Sequence, residues 1–169
     1  ERPIFTAYSG DLQAALLAQA QGAFREAYWN KAGEPKDAVS LPIDAGRVLA
    51  LNGYDLPVSA KPGQVLEILD YWQVLTRSEE PWVIFVHLID SQGNWVSGYD
   101  RLDVDPSSWR PGDQLVQVHA LVVPSDLSAG DYELRIGVYH RETMQRLMWQ
   151  IEPEHAGDNL LLGRVRVGP

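Results

Sequence analysis

The sequence predicts a mainly β fold: an antiparallel two-sheet β-sandwich, immunoglobulin-like or jelly-roll, preceded by one N-terminal α-helix. Three observations support this prediction. Short runs of branched and aromatic residues recur along most of the chain, Gly and Pro separate them, and a helical period is found only near the N-terminus. A chain of 169 residues is long enough to bury a sizeable core as one domain of ordinary size.

The stretch around which the other strands are expected to assemble runs from Gln64 to Leu75. It follows a Pro-Gly turn, Lys61-Pro62-Gly63-Gln64, and contains many branched and aromatic residues without an interrupting Gly or Pro. These features are typical of a long strand in the centre of a sheet. A second Pro-Gly sequence, Arg110-Pro111-Gly112, precedes a later strand, and we interpret the likeness as shared turn chemistry rather than duplication.

Residues 1–44 form a separate N-terminal extension in this prediction, and residues 45–169 form the β-sandwich domain. Between about residues 11 and 30, apolar side chains recur at spacings of three and four, which indicates one apolar stripe on a helix. A linker containing Gly33, Pro35 and Pro42 follows. The sequence leaves open whether the helix packs on the sandwich. The stripe consists of Leu12, Leu16, Ala20, Ala23, Phe24 and Ala27.

Two later strands carry contrasting hydrophobic patterns. The stretch from Trp82 to Asp90 is apolar at nearly every position, which predicts burial on both faces, or one face under the helix. The stretch from Asp131 to Tyr139 alternates strictly, which predicts one buried and one solvated face. Residues 91–94 are a predicted hairpin loop with Gly93 at a positive φ. The remaining predicted strands are residues 47–54, 95–99, 114–123, 146–151 and 159–167.

Charge and composition exclude several classes of partner. The formal net charge is −9 and the isoelectric point about 4.8, whereas binding to nucleic acid or to anionic lipid requires a basic surface. No cysteine is present, so disulfides, thiol nucleophiles and Cys-ligated metals are not available. No apolar run reaches the ~18–20 residues of a membrane span, so we expect no membrane insertion by this chain itself. Because the chain begins Glu1-Arg2-Pro3, we expect it to be part of a longer protein.

Two polar residues fall within predicted apolar strands. Asp70 shares its strand face with Ile68 and Trp72, and it is either a general acid or base, or a side chain that faces an edge or water or pairs with an Arg. His87 is either a proton shuttle or metal ligand, or a neutral core histidine with both ring nitrogens hydrogen-bonded. The other histidines lie on different predicted elements without metal-ligand spacing: His119, His140 and His155.

Acidic and aromatic residues in and around the predicted loop from Asp100 to Ser108 form a candidate ligand site. Aromatic rings beside carboxylates can stack on the C–H faces of a sugar while the acids bind its hydroxyls. Alternating carboxylates can also bind Ca²⁺, the one cofactor that the sequence suggests, with Asp103 and Asp105 as candidate ligands. The alternative is a solvated acidic loop with rings that close the core, which Trp109 favours because it directly precedes a strand-launching turn. The candidate sugar-site residues are Trp95, Tyr99, Asp100, Asp103, Asp105 and Trp109.

Seven motifs stand in a fixed order between Arg47 and Val167. They are LNGYDL (51–56), KPG (61–63), LDYWQ (69–73), VIFVHLID (83–90), WRPG (109–112), GDYELRIGVY (130–139) and LLLGRVRV (160–167). Together they resemble a β-sandwich module at the C-terminal end of bacterial multi-pass membrane glycosyltransferases. Those enzymes are similar to dolichyl-phosphate-mannose-protein mannosyltransferase and 4-amino-4-deoxy-L-arabinose transferase. The residues before Asp44 are not part of the resemblance.

The resemblance implies a non-catalytic accessory domain on the extracytoplasmic face of the cell membrane. It would be tethered through the membrane-embedded parent chain, whose catalytic residues lie elsewhere, and would act in scaffolding, positioning or partner contact. Asp70 departs from the family pattern, which is usually apolar there. The alternative function is a carbohydrate-binding module that takes a glycan at the acidic loop. A third is a glycoside hydrolase using Asp70 and a second acid, which requires two carboxylates about 5–10 Å apart.

Overall fold

The computed structural model describes residues 43–150 and 157–168, which form two five-stranded sheets. This confirms the predicted mainly β, two-sheet fold, whereas the predicted N-terminal helix and most of its linker lie outside the described residues. The strands are β1 (Ile43–Ala45), β2 (Leu49–Asp55), β3 (Ser59–Ala60), β4 (Val65–Val74), β5 (Trp82–Ile89), β6 (Trp95–Arg101), β7 (Gln114–Val122), β8 (Gly130–His140), β9 (Trp149–Gln150) and β10 (Leu160–Val167).

The two sheets enclose one hydrophobic core. The first sheet has the strand order β7-β4-β2-β1-β9 and the second has the order β3-β10-β8-β5-β6. All neighbouring strands are antiparallel except β3 and β10, which are parallel. The core takes side chains from the inner faces of both sheets, so the sheets form a sandwich. Its residues include Leu66, Ile68 and Trp72 from the first sheet and Ile84, Val86, Leu88, Leu134 and Ile136 from the second.

The strand β4 occupies the position that the sequence predicts for the organising stretch. It pairs with β2 on one side and with β7 on the other, so its backbone is hydrogen-bonded along both edges. Ile68 and Trp72 point into the core, while Leu69 and Tyr71 on the opposite face are buried as well. Burial on both faces explains why this segment has no alternation of apolar and polar residues at its centre.

The two Pro-Gly sequences form the same turn, as predicted. In each, the fourth residue donates its backbone N–H to the carbonyl of the first: Gln64 to Lys61, and Asp113 to Arg110. Gly63 and Gly112 have φ values of 80° and 92°, which is the third-position conformation of a type II turn with Pro before it. The turns lie at opposite ends of the β4–β7 pair and bond the end of the neighbouring strand. They therefore fix the register of this pair at both ends.

Two very short strands connect the edges of one sheet to the other. The chain passes from β2 through β3 to β4, yet β3 pairs with β10 of the second sheet. It passes from β8 through β9 to β10, yet β9 pairs with β1 of the first sheet. Trp149 anchors β9, because its side chain is fully buried and its ring lies 5.8 Å from that of Trp72. Strands of two or three residues have no periodic pattern, so β1 and β3 were not predicted.

One tyrosine closes the corner at which the chain crosses from β7 to β8. Tyr132 lies near the start of β8, and its hydroxyl donates a 2.9 Å hydrogen bond to the backbone carbonyl of Ser128. The bond ties the strand to the loop just before it, while the ring packs in the core. A tyrosine that bonds back to the backbone a few residues upstream stabilises such a crossing between two sheets.

Helical structure in the described residues is limited to one 3₁₀ turn, Pro106–Ser108. Asp105 caps this turn, because its carboxylate accepts a 2.9 Å hydrogen bond from the backbone N–H of Ser107. Among residues 43–150 and 157–168, no helix is long and apolar enough to cross a membrane.

The outer face of β5 is only partly buried, which modifies the prediction of burial on both faces. Val83 and Phe85 are buried there, but His87 and Ile89 further along the strand are half-buried. Phe85 lies flat over Gly137 of the neighbouring strand β8. A Cβ atom at Gly137 would lie 2.2 Å from Cζ of Phe85 and 3.0 Å from the backbone oxygen of Asp158. The absent side chain at residue 137 is therefore what allows the Phe85 ring to cover this sheet.

We expect Gly137→Ala to destabilise the fold, because neither the Phe85 ring nor the backbone of Asp158 can move without displacing its neighbours. Overpacking of this kind typically costs about 1–3 kcal/mol. Gly53→Ala is the matched control, since a Cβ at that strand glycine would meet the Tyr71 ring at an ordinary 3.6 Å. Urea denaturation of the three proteins measures the difference. Equal stability of both variants would show that Phe85 does not depend on Gly137.

Candidate functional site

Asp70 lies inside the sandwich, where it faces a histidine rather than an arginine, a sheet edge or water. Both side chains are fully buried, and Nε2 of His119 lies 2.7 Å from Oδ2 of Asp70. The two atoms lie at ion-pair distance, although the approach lacks the in-line geometry of a hydrogen bond. The indole N–H of Trp72 donates to the other carboxylate oxygen. Asp70 therefore has its observed partners, His119 and Trp72, in the core.

His119 also connects the first sheet to the second. Its Nδ1 lies 3.1 Å from the backbone oxygen of Tyr99, on β6. A carbonyl only accepts hydrogen bonds, so Nδ1 carries the proton of this bond. The Asp70–His119 pair is then either a carboxylate with an imidazolium or a neutral acid with a neutral imidazole. Both forms have no net charge, which is the arrangement that burial requires.

Two further contacts join β6 and the residues after it to β7, and with His119 they form a seam between the sheets. The Ser97 hydroxyl donates a 2.6 Å hydrogen bond to the backbone oxygen of Val122. The Gln117 amide accepts from the backbone N–H of Asp103 and donates to its carboxylate, both at 3.0 Å. The seam closes one side of the sandwich with side-chain bonds, because the two sheets do not share a backbone ladder there.

We expect Asp70→Leu and His119→Leu each to destabilise the protein, because either change leaves a polar group in the core without its partner. Loss of one member of a buried pair costs about 3–5 kcal/mol. The double variant should cost less than the sum of the two, since neither charged group remains. Urea denaturation of the four proteins gives the coupling energy. Additivity within about 0.5 kcal/mol would contradict the coupling.

The acidic loop does not form a shared ligand site. The Asp103 side chain is 1% exposed and pairs with Arg101 as well as with Gln117. Asp105 caps the 3₁₀ turn, and those backbone and side-chain bonds from Ser107 lower the pKa of its carboxyl. The Trp109 ring is 1% exposed in the core. No group of three His, Cys, Asp or Glu side chains that could hold a metal ion occurs within the described ranges.

A β-bulge separates Trp95 from Tyr99. In the β5–β6 ladder, Ile89 pairs with Trp95 and Leu88 pairs with Ser97, so Val96 is the extra residue. After Val96, the odd-numbered residues of β6 face the core, whereas the odd-numbered Trp95 before the bulge faces outwards. Trp95 points to the outer face and is 62% exposed, whereas Tyr99 points inwards, with its ring edge-on to the His119 ring at 5.8 Å. The two rings that the sequence suggests for one sugar site therefore lie on opposite faces of β6.

Trp95 instead borders a groove of about 660 Å³ on the outer face of the second sheet. The hairpin between β5 and β6 forms one end, and Phe85 lies beneath the guanidinium of Arg146, whose carbon is 4.6 Å from the ring centroid. Trp95 stands edge-on to the His87 ring at 6.4 Å. The groove is lined by Phe85, His87, Ile89, Asp90, Ser91, Gln92, Gly93, Trp95, Glu133, Arg135, Arg146 and Asn159.

His87 is a member of this groove and not a core histidine. Its Nε2 lies 2.9 Å from the Asp100 carboxylate, which the bulge places on the same outer face. Asp100 also bonds Tyr139, and burial together with this negative charge raises the pKa of the Tyr139 hydroxyl. A carboxylate accepts the proton on Nε2, so a neutral His87 has Nδ1 as an acceptor. Among the described residues, no group bonds that Nδ1.

Planar polar side chains on the groove wall hold one another in place. Arg135 donates two hydrogen bonds to one carboxylate oxygen of Glu133, at 2.7 and 3.0 Å, and a third to the side-chain amide oxygen of Asn159 at 2.9 Å. Arg164 contacts the other Glu133 oxygen at 3.3 Å. These bonds from the two arginines lower the pKa of the Glu133 carboxyl. Asp90 is held by the hairpin, because Asn94 donates to both of its oxygens, and this lowers the pKa of its carboxyl.

Part of this groove was foreseeable and part was not. The strict alternation of β8 predicts that Glu133 and Arg135 face solvent, although it does not single them out as a site. The structure places Arg146 and Asn159, the first residues of two predicted strands, in the connections before β9 and β10, and no sequence signal marks them as groove residues. No family model matches the chain, and no curated protein is similar enough in sequence to count as a relative.

We expect stability to fall as the pH drops below about 4, the ordinary pKa of a carboxyl group. Glu133 and Asp131, which Arg166 contacts, have lowered pKa values in the folded protein. The unfolded chain then binds more protons, so their stabilisation is present above the ordinary value and is lost as pH falls through the folded one. Glu133→Gln should flatten this acid dependence, measured by thermal denaturation between pH 3 and 7.

Glu142→Gln is the control, because among the described residues the exposed Glu142 side chain makes no ion pair. An acid dependence that Glu133→Gln leaves unchanged would show that its pairing contributes nothing to stability.

Proposed function

We propose that this chain is a non-catalytic accessory domain that recognises a partner or ligand through the outer face of its second sheet. The observation that carries the proposal is the sealed Asp70–His119 pair. The acid that the sequence offers for proton transfer is fully buried against His119, so a substrate cannot reach it. The acidic loop residues have structural contacts as well: pairing with Arg101 and Gln117 for Asp103, the cap of the 3₁₀ turn for Asp105, and burial in the core for Trp109. The exposed Trp95 and its groove remain as the surface for recognition.

An immunoglobulin-like topology is part of this proposal. The adjacent strands β2-β4-β7 and β10-β8-β5-β6 correspond in order to the A-B-E and G-F-C-C′ strands of that fold. The bond from Tyr132 to Ser128 corresponds to the tyrosine corner at the start of strand F. These two features favour an immunoglobulin-like sandwich over a jelly roll. Sandwiches of this kind serve many recognition functions, so the fold supports the proposal without specifying a ligand.

The parent chain and its location are proposed from the family resemblance. The resembling motifs include both Pro-Gly turns, the buried Trp72, and the segment that contains Tyr132 and Gly137. A domain with such motifs, attached to a multi-pass glycosyltransferase-like protein, would lie on the extracytoplasmic face and act in positioning or partner contact. The formal charge of −9 supports a surface that does not adhere to anionic lipid.

Turnover assays test the absence of catalysis. We expect the full chain to leave a panel of 4-nitrophenyl glycosides unhydrolysed over many hours. Hydrolysis that is lost in Asp70→Asn or in Glu133→Gln would contradict the proposal. Glu133 is included because it is a surface acid whose replacement does not disturb the core, so loss of activity there would not merely report unfolding.

Cysteine labelling tests the location, since the chain contains no cysteine of its own. Ser125→Cys, at an exposed loop position, should react with a membrane-impermeant maleimide when the parent protein is expressed in intact cells. Ala45→Cys is the matched control, because Ala45 is fully buried and should react only after denaturation. Labelling of residue 125 only after cell lysis would place the domain on the cytoplasmic side and contradict the proposed location.

A further inference from the structure

We propose that the groove beside Trp95 binds a neutral oligosaccharide, with the indole as the stacking platform and the polar wall as the hydroxyl-binding surface. This inference rests on the non-catalytic recognition role proposed above. It differs from the site that the sequence suggested, because it excludes Tyr99, Asp103, Asp105 and Trp109. It adds His87, Glu133, Arg135 and Asn159 instead.

The charges of the groove favour a neutral ligand. Asp90 and Glu133 supply two negative charges, and Arg135 and Arg146 supply two positive charges. Each is already paired or hydrogen-bonded within the protein, and Arg146 contacts Asp158 at 3.3 Å. A phosphate or carboxylate would have to compete with these acids for the arginines. A cation would likewise have to compete with the arginines for Glu133.

The form of the groove favours a sugar over an apolar molecule. Its volume of about 660 Å³ is within the ~300–1,000 Å³ of ordinary small-ligand sites. Its wall is mostly polar and planar, whereas sites for apolar ligands are mostly lined by hydrophobic side chains. Carboxylates and guanidinium groups that are held by mutual hydrogen bonds keep further donors and acceptors in fixed positions. Sugar hydroxyls, which both donate and accept, match such a surface.

Trp95 supplies the complementary apolar contact. Its side chain is 62% exposed, although a large aromatic ring is usually buried when it has only a structural role. The indole face is electron-rich, and the C–H groups on one face of a pyranose ring are its natural partner. The neighbouring His87 also lines the groove, and its ring stands edge-on to the indole at 6.4 Å.

Gly98 is the residue that allows this arrangement. A Cβ atom there would lie 2.7 Å from Cδ2 of His87 and 3.1 Å from Nε1 of Trp95. Gly98 pairs with His87 across the ladder, so any side chain would push directly against the imidazole. Gly98→Ala should therefore move both rings without changing their chemistry. The variant tests whether binding depends on where the rings lie and not only on which side chains are present.

A glycan array followed by calorimetric titration of the full chain tests the proposal. Mannohexaose, cellohexaose and maltohexaose are the titrated probes, in calcium and in EDTA. We expect at least one array sugar or probe to bind equally in both conditions. Trp95→Ala should weaken binding about tenfold or more, in keeping with the loss of one stacking platform. Gly98→Ala should also weaken it, whereas Val58→Ala, at an exposed apolar residue outside the groove, should not.

The indole N–H resonance of Trp95, identified by its absence in Trp95→Ala, should shift on sugar addition. No binding on the array or in the titrations, binding unchanged in Trp95→Ala, or binding that requires calcium would each overturn the inference. Thermal denaturation of every variant shows whether it is folded. Failure of sugar binding alone leaves the accessory role in place, whereas glycoside turnover contradicts that role whether or not a sugar binds.

Discussion

The buried pair of Asp70 and His119 is the interaction on which the closed side of the sandwich depends. It joins β4 to β7, the edge strand of the first sheet, and through the Tyr99 carbonyl it reaches the edge strand of the second. Burial of an ion pair costs desolvation energy, and apolar residues of similar volume often serve stability equally well. We infer that the pair specifies which sheet edges meet. His119 contacts both Asp70 and the backbone carbonyl of Tyr99 on β6 only when β7 is in its observed register.

The same seam determines which face of β6 carries Trp95 and its groove. Because Ser97 and Tyr99 must point towards β7, the bulge at Val96 is needed to bring Trp95 to the outer face. The bulge also places Asp100 beside His87, which then stands against the indole. The single extra residue Val96 thus lets Ser97 and Tyr99 point towards β7 while Trp95 borders the groove. Bulges often redirect side chains in this way near functional sites.

The motifs that carry the family resemblance are largely the residues that build the fold. The Pro-Gly turns set the register of β4 and β7, Tyr132 closes a corner, and Gly137 admits the Phe85 ring. The same motifs also contain six of the twelve residues that line the groove: Phe85, His87, Ile89, Asp90, Glu133 and Arg135. One fold carries many functions, so the resemblance informs the scaffold more than the ligand.

The long strands, the interior position of β4, the shared chemistry of the two Pro-Gly turns and the solvated face of β8 follow from the amino-acid sequence alone. These features are local, because alternation, β-branching and the φ preferences of Pro and Gly act within a few residues. Three features became visible only in the assembled sheets: the contact of His119 with Asp70, the opposite orientations of Trp95 and Tyr99, and the position of Arg135 and Asn159 in the groove beside Trp95. Those contacts depend on strand register and on one bulge, and a residue added to a strand reverses every side chain beyond it without changing the local pattern that predicts the strand.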